Sequence, residues 1–165
     1  MKRGGYLNRR TPLAISGHSE TSEVKKEIQA VAREIVIIRD GGCILRNIHY
    51  RDFPECGGYR NDGELILQAD HLVTRANNAT FADTRLIVCV CKAHHAWKSL
   101  GSNARKKEYD ELVRTLLPSD RVALWDACER DSWKPNRGAA FNWTVTLAAL
   151  KQELREIQRD SSHAA

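Results

Sequence analysis

Two short apolar runs in this chain end in groups that bind cations. Leu65-Ile-Leu-Gln-Ala-Asp-His71 closes on an acid–imidazole pair, and Leu86-Ile-Val-Cys-Val-Cys-Lys-Ala-His-His95 closes on thiols and two imidazoles. The first run alternates imperfectly and reads as a strand over 64–71; the second, 86–91, reads as a short buried strand, and 94–100 as a helix. Successive side chains on a strand point to opposite faces, so the neighbours Asp70 and His71 diverge. One can hold a metal while the other faces a water, and His95 can return to the same place from the start of the helix. Carboxylate and imidazole suit a divalent metal, and a second imidazole, with an ordinary pKa near 6.5, suits a base.

The rest of the chain supplies helices around this pair of strands. Residues 1–19 are basic, carry three Gly and two Ser, and lack periodicity, which reads as a flexible arm. Val24, Ile28, Val31, Ile35 and Ile38 form a stripe that predicts a helix over 23–38, capped by Ser22 and ended by Asp40-Gly41-Gly42. An irregular loop (43–63) follows, and Thr74–Thr84 is a polar loop between the strands. Further helices are predicted over 105–117, with Tyr109, Leu112 and Leu116 on one face and Pro118 as the stop, and over 120–128, capped by Ser119. Arg130–Gly138 is a linker carrying Trp133. Asn142 or Thr144 starts a last helix with Leu147, Leu150, Leu154 and Ile157 in a stripe. The expected fold is α+β: a ββα motif embedded in a small, mainly helical domain. Its organisation is an arm (1–19), a helix plus the ββα core (20–101), a C-terminal helical region (102–160) and a tail (161–165).

Charge is unevenly distributed. Residues 1–107 carry 18 Lys and Arg against 11 Asp and Glu, whereas 108–165 carry 8 against 10. The positive field surrounds the strand pair, as a polyanionic substrate requires. No apolar run approaches the ~20 residues of a membrane span, and the basic N-terminus has no apolar stretch behind it, so neither a membrane nor a secretory route is expected. Five cysteines, an odd count, argue for a reducing compartment and for metal binding by some of the thiols.

Asp70-His71 at a strand end and Cys91-Lys-Ala-His94-His95 at a strand–helix junction resemble the HNH (ββα-metal, His-Me finger) nucleases. The resemblance implies His71 as general base, and Asp70 and His95 as ligands of a catalytic Mg2+, Mn2+ or Ni2+. It further implies a structural zinc knuckle. Cys91 and His94 supply one half, and Cys43 with Cys56-Gly57-Gly58 the other; Cys89 is a rival to Cys91, but Cys89 and Cys128 read more readily as small buried hydrophobes. Leu86 stands where the family pattern has Asn. Arg75, Arg85, Lys92 and Lys98 flank the strands and helix and are the expected phosphate contacts. The preceding helix, His71-Leu-Val-Thr-Arg75-Ala and the C-terminal helices resemble the phage NinG/Rap recombination endonucleases. That branch implies branched or junction DNA as substrate, a homodimer for paired cuts, and the cytoplasm of a phage-infected or lysogenic bacterium. Leu86 favours the alternative, a catalytically weak or inactive zinc-containing DNA-binding protein. A zinc-stabilised protein-interaction domain is a further alternative, against which the basic bias of residues 1–107 speaks.

Overall fold

A computed structural model describes residues 20–49, 53–73, 78–131 and 142–163. The expected N-terminal arm, Arg75 and nearly all of the Trp133 linker lie outside them. Helix α1 (Glu20–Asp40) is longer at both ends than its apolar stripe, so Ser22 lies inside it rather than capping it. It presents two apolar faces. Ile28 and Ile35 pack on α6 (Trp143–His163), against Leu147 and Leu150, while Ala32 and Val36 pack on Ile87 and Cys89. Gly41 ends α1 with φ +62° and returns its N–H to Ile37 O at 3.1 Å, a conformation Gly adopts without a Cβ penalty.

The sheet has two antiparallel strands, β1 (Leu67–His71) and β2 (Ile87–Cys91), with Leu67 opposite Cys91 and His71 opposite Ile87. Lys92 N–H to Ile66 O and Leu72 N–H to Leu86 O, each 2.9 Å, extend the ladder at both ends. A two-stranded sheet is marginal alone, and here both faces and an edge are covered. Alpha1 lies on one face. On the other, Val88 and Val90 join Leu45, Phe53, Tyr109, Val113 and Trp125 in the larger core. Along the outer edge of β2, Asp40 Oδ2 accepts from Cys89 N–H (2.8 Å) and Cys89 O accepts from Ile44 N–H (3.0 Å). Arg39 and Arg121 both donate to Ile87 O, at 2.8 and 3.0 Å. These satisfy the backbone groups a second neighbour strand would otherwise pair.

Between the strands the described part of the polar loop holds a turn of helix α2 (Asn78–Phe81) and a 3-10 turn (Thr84–Leu86). Phe81 and Ala82 anchor it in the α1–α6 core. Beta2 runs directly into α3 (Lys92–Ser99), followed by α4 (Asn103–Leu116) and α5 (Ser119–Asp131). In α4 the buried residues are Tyr109 and Val113, one turn apart, while Leu116 is 42% exposed; the buried stripe is thus rotated from the Tyr109-Leu112-Leu116 expectation. Ser102 Oγ accepts from Arg105 N–H, and Asn142 Oδ1 accepts from Val145 N–H at 3.0 Å at the start of α6, as expected of a cap. The chain is mixed α and β and mostly helical. Among the described residues no helix is long and apolar enough to cross a membrane.

Candidate metal centre and adjoining cleft

Cys43, Cys56, Cys91 and His94 converge, their ligand atoms all within 4.8 Å of one another. His94 Nδ1 lies 3.2 Å from Cys43 Sγ, 3.3 Å from Cys91 Sγ and 4.0 Å from Cys56 Sγ. A tetrahedral site with metal–sulfur bonds near 2.3 Å and metal–nitrogen bonds near 2.0 Å has S···N edges of about 3.5 Å. The group therefore fits a metal ion such as zinc. Its second shell fits too. His94 Nε2 is 2.6 Å from Pro54 O, a carbonyl that can only accept, so Nε2 carries the proton and Nδ1 keeps its lone pair toward the sulfurs. Burial lowers the His94 pKa, favouring the neutral imidazole a metal needs. Phe53 stacks on the ring with centroids 4.7 Å apart. Burial pushes the Cys43 thiol up, and the Cys56 thiol up to about 12, so without a metal both are protonated.

Strand alternation puts Cys89 on the same face as Cys91, but Cys89 packs with Ala32, Val36 and Ile87 beneath α1, as the reading of it as a small buried hydrophobe expects. Cys91 leaves that alternation because the backbone turns into α3 at this residue, bringing its sulfur to the other core.

Gly58 fixes the turn after Cys56. Its φ is +84°, and a Cβ there would stand 2.6 Å from Lys92 Cβ, an atom that cannot swing aside. Its carbonyl accepts from Ile66 N–H at 2.9 Å, and Gly57 O accepts from Ala93 N–H at 3.2 Å. Gly58→Ala is expected to cost about 1–3 kcal/mol and to weaken metal retention, read by thermal melts and by the rate at which a colorimetric chelator extracts the metal. Gly63 has the same φ, +84°, but open space around its Cβ position; Gly63→Ala should therefore retain metal like the parent. Equal extraction rates in both variants would show that the Lys92 contact does not matter.

Asp70, His71 and His95 line one cleft of about 370 Å³, together with Lys98, Ser99 and Lys106. Asp70 is 4% exposed. Its Oδ1 faces His95 Nε2 at 3.6 Å. Its Oδ2 is taken by two donors, Lys98 Nζ and Tyr109 OH, each at 2.7 Å. His71 Nε2 lies 3.2 Å from Phe81 O, and its Nδ1 is buried. Adjacent Asp70 and His71 do diverge, as a strand requires, toward α4 and toward α2.

Of the expected phosphate contacts, only Lys98 lines this cleft among the described residues, and its side chain is 10% exposed, turned onto Asp70. Arg85 is paired with Asp83 at 2.8 Å and borders a separate depression against α6. Lys92 is exposed beside Gly58. Arg75 lies outside the described residues. Three site features were not expected: Tyr109 as a donor to Asp70, Lys106 at the cleft, and the direction of Lys98. Helical spacing carried a signal for the last, since Lys98 is three residues beyond His95 and four beyond His94. No protein-family model, curated protein or solved structure matches this chain.

Proposed function

We propose that this protein is an HNH-type endonuclease that hydrolyses DNA phosphodiester bonds, with a structural zinc ion at Cys43, Cys56, Cys91 and His94. The observation that carries the reading is the meeting of Asp70 and His71, from the end of β1, with His95 in one cleft; His95 comes from the strand–helix junction that also contributes Cys91 and His94 to the thiol cluster. Zinc is favoured for that cluster because three thiolates and one imidazole form a closed tetrahedral N/S set.

The cleft would hold its own divalent cation, Mg2+, Mn2+ or Ni2+, through Asp70 Oδ1 and His95 Nε2. Two protein donors fit a cation that completes its shell with water and substrate phosphate, as Mg2+ commonly does. When bound, that cation supplies charge neutralisation at the phosphate and the departing oxygen. His71 is the base. The Phe81 carbonyl holds Nε2 as a donor, leaving Nδ1 basic. Nδ1 is buried, so the role requires the ring to give up the Phe81 contact and turn Nδ1 toward the cleft in the same tautomer. It then takes a proton from water as the water oxygen bonds to phosphorus and the P–O3′ bond breaks; the departing 3′-oxygen takes its proton from solvent water, and the imidazolium returns its own to solvent. The products are a 5′-phosphate and a 3′-hydroxyl.

A specific pair of observations favours a second reading, a zinc-containing DNA-binding protein without cleavage. Leu86, in the position of the family Asn, is buried in the core, and Lys98 occupies one oxygen of the proposed metal ligand. Holliday-junction, Y-fork and linear duplex DNA, each offered with Mg2+, Mn2+ and Ni2+, separate the two. Metal-dependent cutting, strongest on the branched substrates, is expected, with binding that weakens steeply as salt rises. Salt-sensitive binding with no cutting in any metal would establish the second reading.

A further inference from the structure

We propose that Lys98 makes cation binding in the cleft conditional on phosphate, so that the divalent cation and a DNA phosphate enter together. The inference rests on the endonuclease reading and names the order in which that site is filled. Lys98 Nζ is 2.7 Å from Asp70 Oδ2 and 3.3 Å from His71 O, and it stands over the Tyr109 ring at 4.7 Å from the centroid. Side-chain exposures of 10% for Lys98 and 6% for Asp70 leave little water or salt to screen this charge. Among the described residues, Asp70 is the only carboxylate lining the cleft, against two ammonium groups, Lys98 and Lys106. Asp110 lies close enough behind them to interact with both Lys98 and Lys106, but does not line the cleft. His71 and His95 bind cations only as neutral imidazoles. The walls therefore offer an arriving divalent cation no surplus negative charge, and one oxygen of its anionic ligand is already engaged by Lys98 and Tyr109.

A phosphodiester reverses this balance. It brings the missing negative charge, it is attracted by Lys98 and Lys106, and its oxygens complete the shell of a cation that has only two protein donors. Each partner then raises the affinity for the other, and by linkage the two factors are equal. Tyr109 is a positioning residue in this scheme: its hydroxyl holds Oδ2, so that Asp70 presents Oδ1 to the cleft.

The test uses the full zinc-loaded chain in a His71→Ala background, so that DNA is bound and not consumed. Free Mn2+ is measured by electron paramagnetic resonance with and without a short duplex, after subtracting Mn2+ bound by the duplex alone. Duplex affinity is measured by fluorescence anisotropy with and without Mn2+. Saturating duplex should raise Mn2+ affinity by about tenfold or more, and Mn2+ should raise duplex affinity by the same factor. Lys98→Met should bind Mn2+ more tightly than its parent in the absence of DNA, with the factor falling toward one. Lys98→Gln, which keeps a hydrogen-bond donor near Asp70, gives the same comparison if the Met variant does not fold, and Lys98→Arg should retain the coupling. Equal Mn2+ affinity with and without duplex overturns the proposal, as does a folded Lys98→Met or Lys98→Gln protein with the full factor; both leave the endonuclease reading standing. No Mn2+ binding to the protein under any condition overturns that reading as well.

Discussion

Removing the metal from the Cys43–Cys56–Cys91–His94 group is expected to unfold the β1–β2–α3 half of the protein. Structural zinc contributes about 10–16 kcal/mol in small domains, as much as or more than the roughly 5–15 kcal/mol by which a folded domain is stable. The cluster ties the irregular segment carrying Cys43 and Cys56 to the β2–α3 junction carrying Cys91 and His94, reinforcing a few single hydrogen bonds such as Ala93 N–H to Gly57 O. Without the ion, only weak S–H donors at 3.2 and 3.3 Å meet the His94 Nδ1 lone pair, in place of a metal bond. The α1–α6 contact has its own core of Ile28, Ile35, Leu147 and Leu150 and cross-helix pairs Lys151–Glu27 and Gln158–Glu34. Part of the helical signal should therefore survive chelation while the near-ultraviolet signal of Trp97 and Trp125 collapses. Cys43→Ser should behave like the chelated protein, and metal analysis of the parent should give one zinc per chain. Loading should release protons, because burial keeps the Cys43 thiol protonated and pushes Cys56 up to about 12. Lowering the pH favours the protonated, metal-free form, so affinity should drop by roughly tenfold per pH unit for each thiol that must ionise. An intact near-ultraviolet spectrum after complete chelation would mean that the four side chains are merely buried together.

The parts of this fold legible in the sequence are those written in residue type and period. The stripes Ile28–Ile35 and Leu147–Leu150 identify α1 and α6 as amphipathic, and their mutual burial follows from having no other apolar face of that length to meet. The metal group was legible because thiols and imidazoles at a strand–helix junction have few other uses, although Cys43 and Cys56 are separated by an irregular segment that carries no periodic signal. What stayed hidden depends on direction rather than type. Tyr109 sits on an apolar face and reads as core, which it is, yet its hydroxyl reaches Asp70 from 39 residues away. Lys98 reads as a surface cation because most lysines are, and only the buried carboxylate beside it turns it inward. Asp40, read only as part of the helix stop, joins Arg39 and Arg121 in closing the outer edge of β2 through backbone groups, which no side-chain pattern records. The ordered turn at Asn78–Phe81 was missed because four residues are too few to show a helical period; Phe81 is held by tertiary packing on Trp143, with ring centroids 5.6 Å apart.

His71→Ala is expected to lower the cleavage rate by about 10²–10⁴-fold, the range usually lost with a general base, while DNA affinity stays within a few-fold of the parent. The separation of the two effects follows from geometry. The Phe81 contacts of His71 are with a main-chain carbonyl, Phe81 O, and a tilted ring at 6.1 Å. It does not touch the thiol cluster, and Asp70 keeps both Lys98 and Tyr109 when the ring is removed. The strand register, set by backbone pairs from Leu67 to His71, does not need the imidazole. Loss of folding is therefore not the expected route to loss of activity, and a thermal melt close to the parent's checks this. Two further readouts tie the loss to proton transfer. Added imidazole should restore part of the His71→Ala rate, because a small base can occupy the space the side chain leaves. His49→Ala, which alters an imidazole beside the Cys56 depression and not in the cleft, should cut at the parental rate. Undiminished cleavage by His71→Ala would remove the base from the mechanism. A loss equal in size for His49→Ala would show that the activity depends on the integrity of the metal-braced core rather than on an imidazole in the cleft.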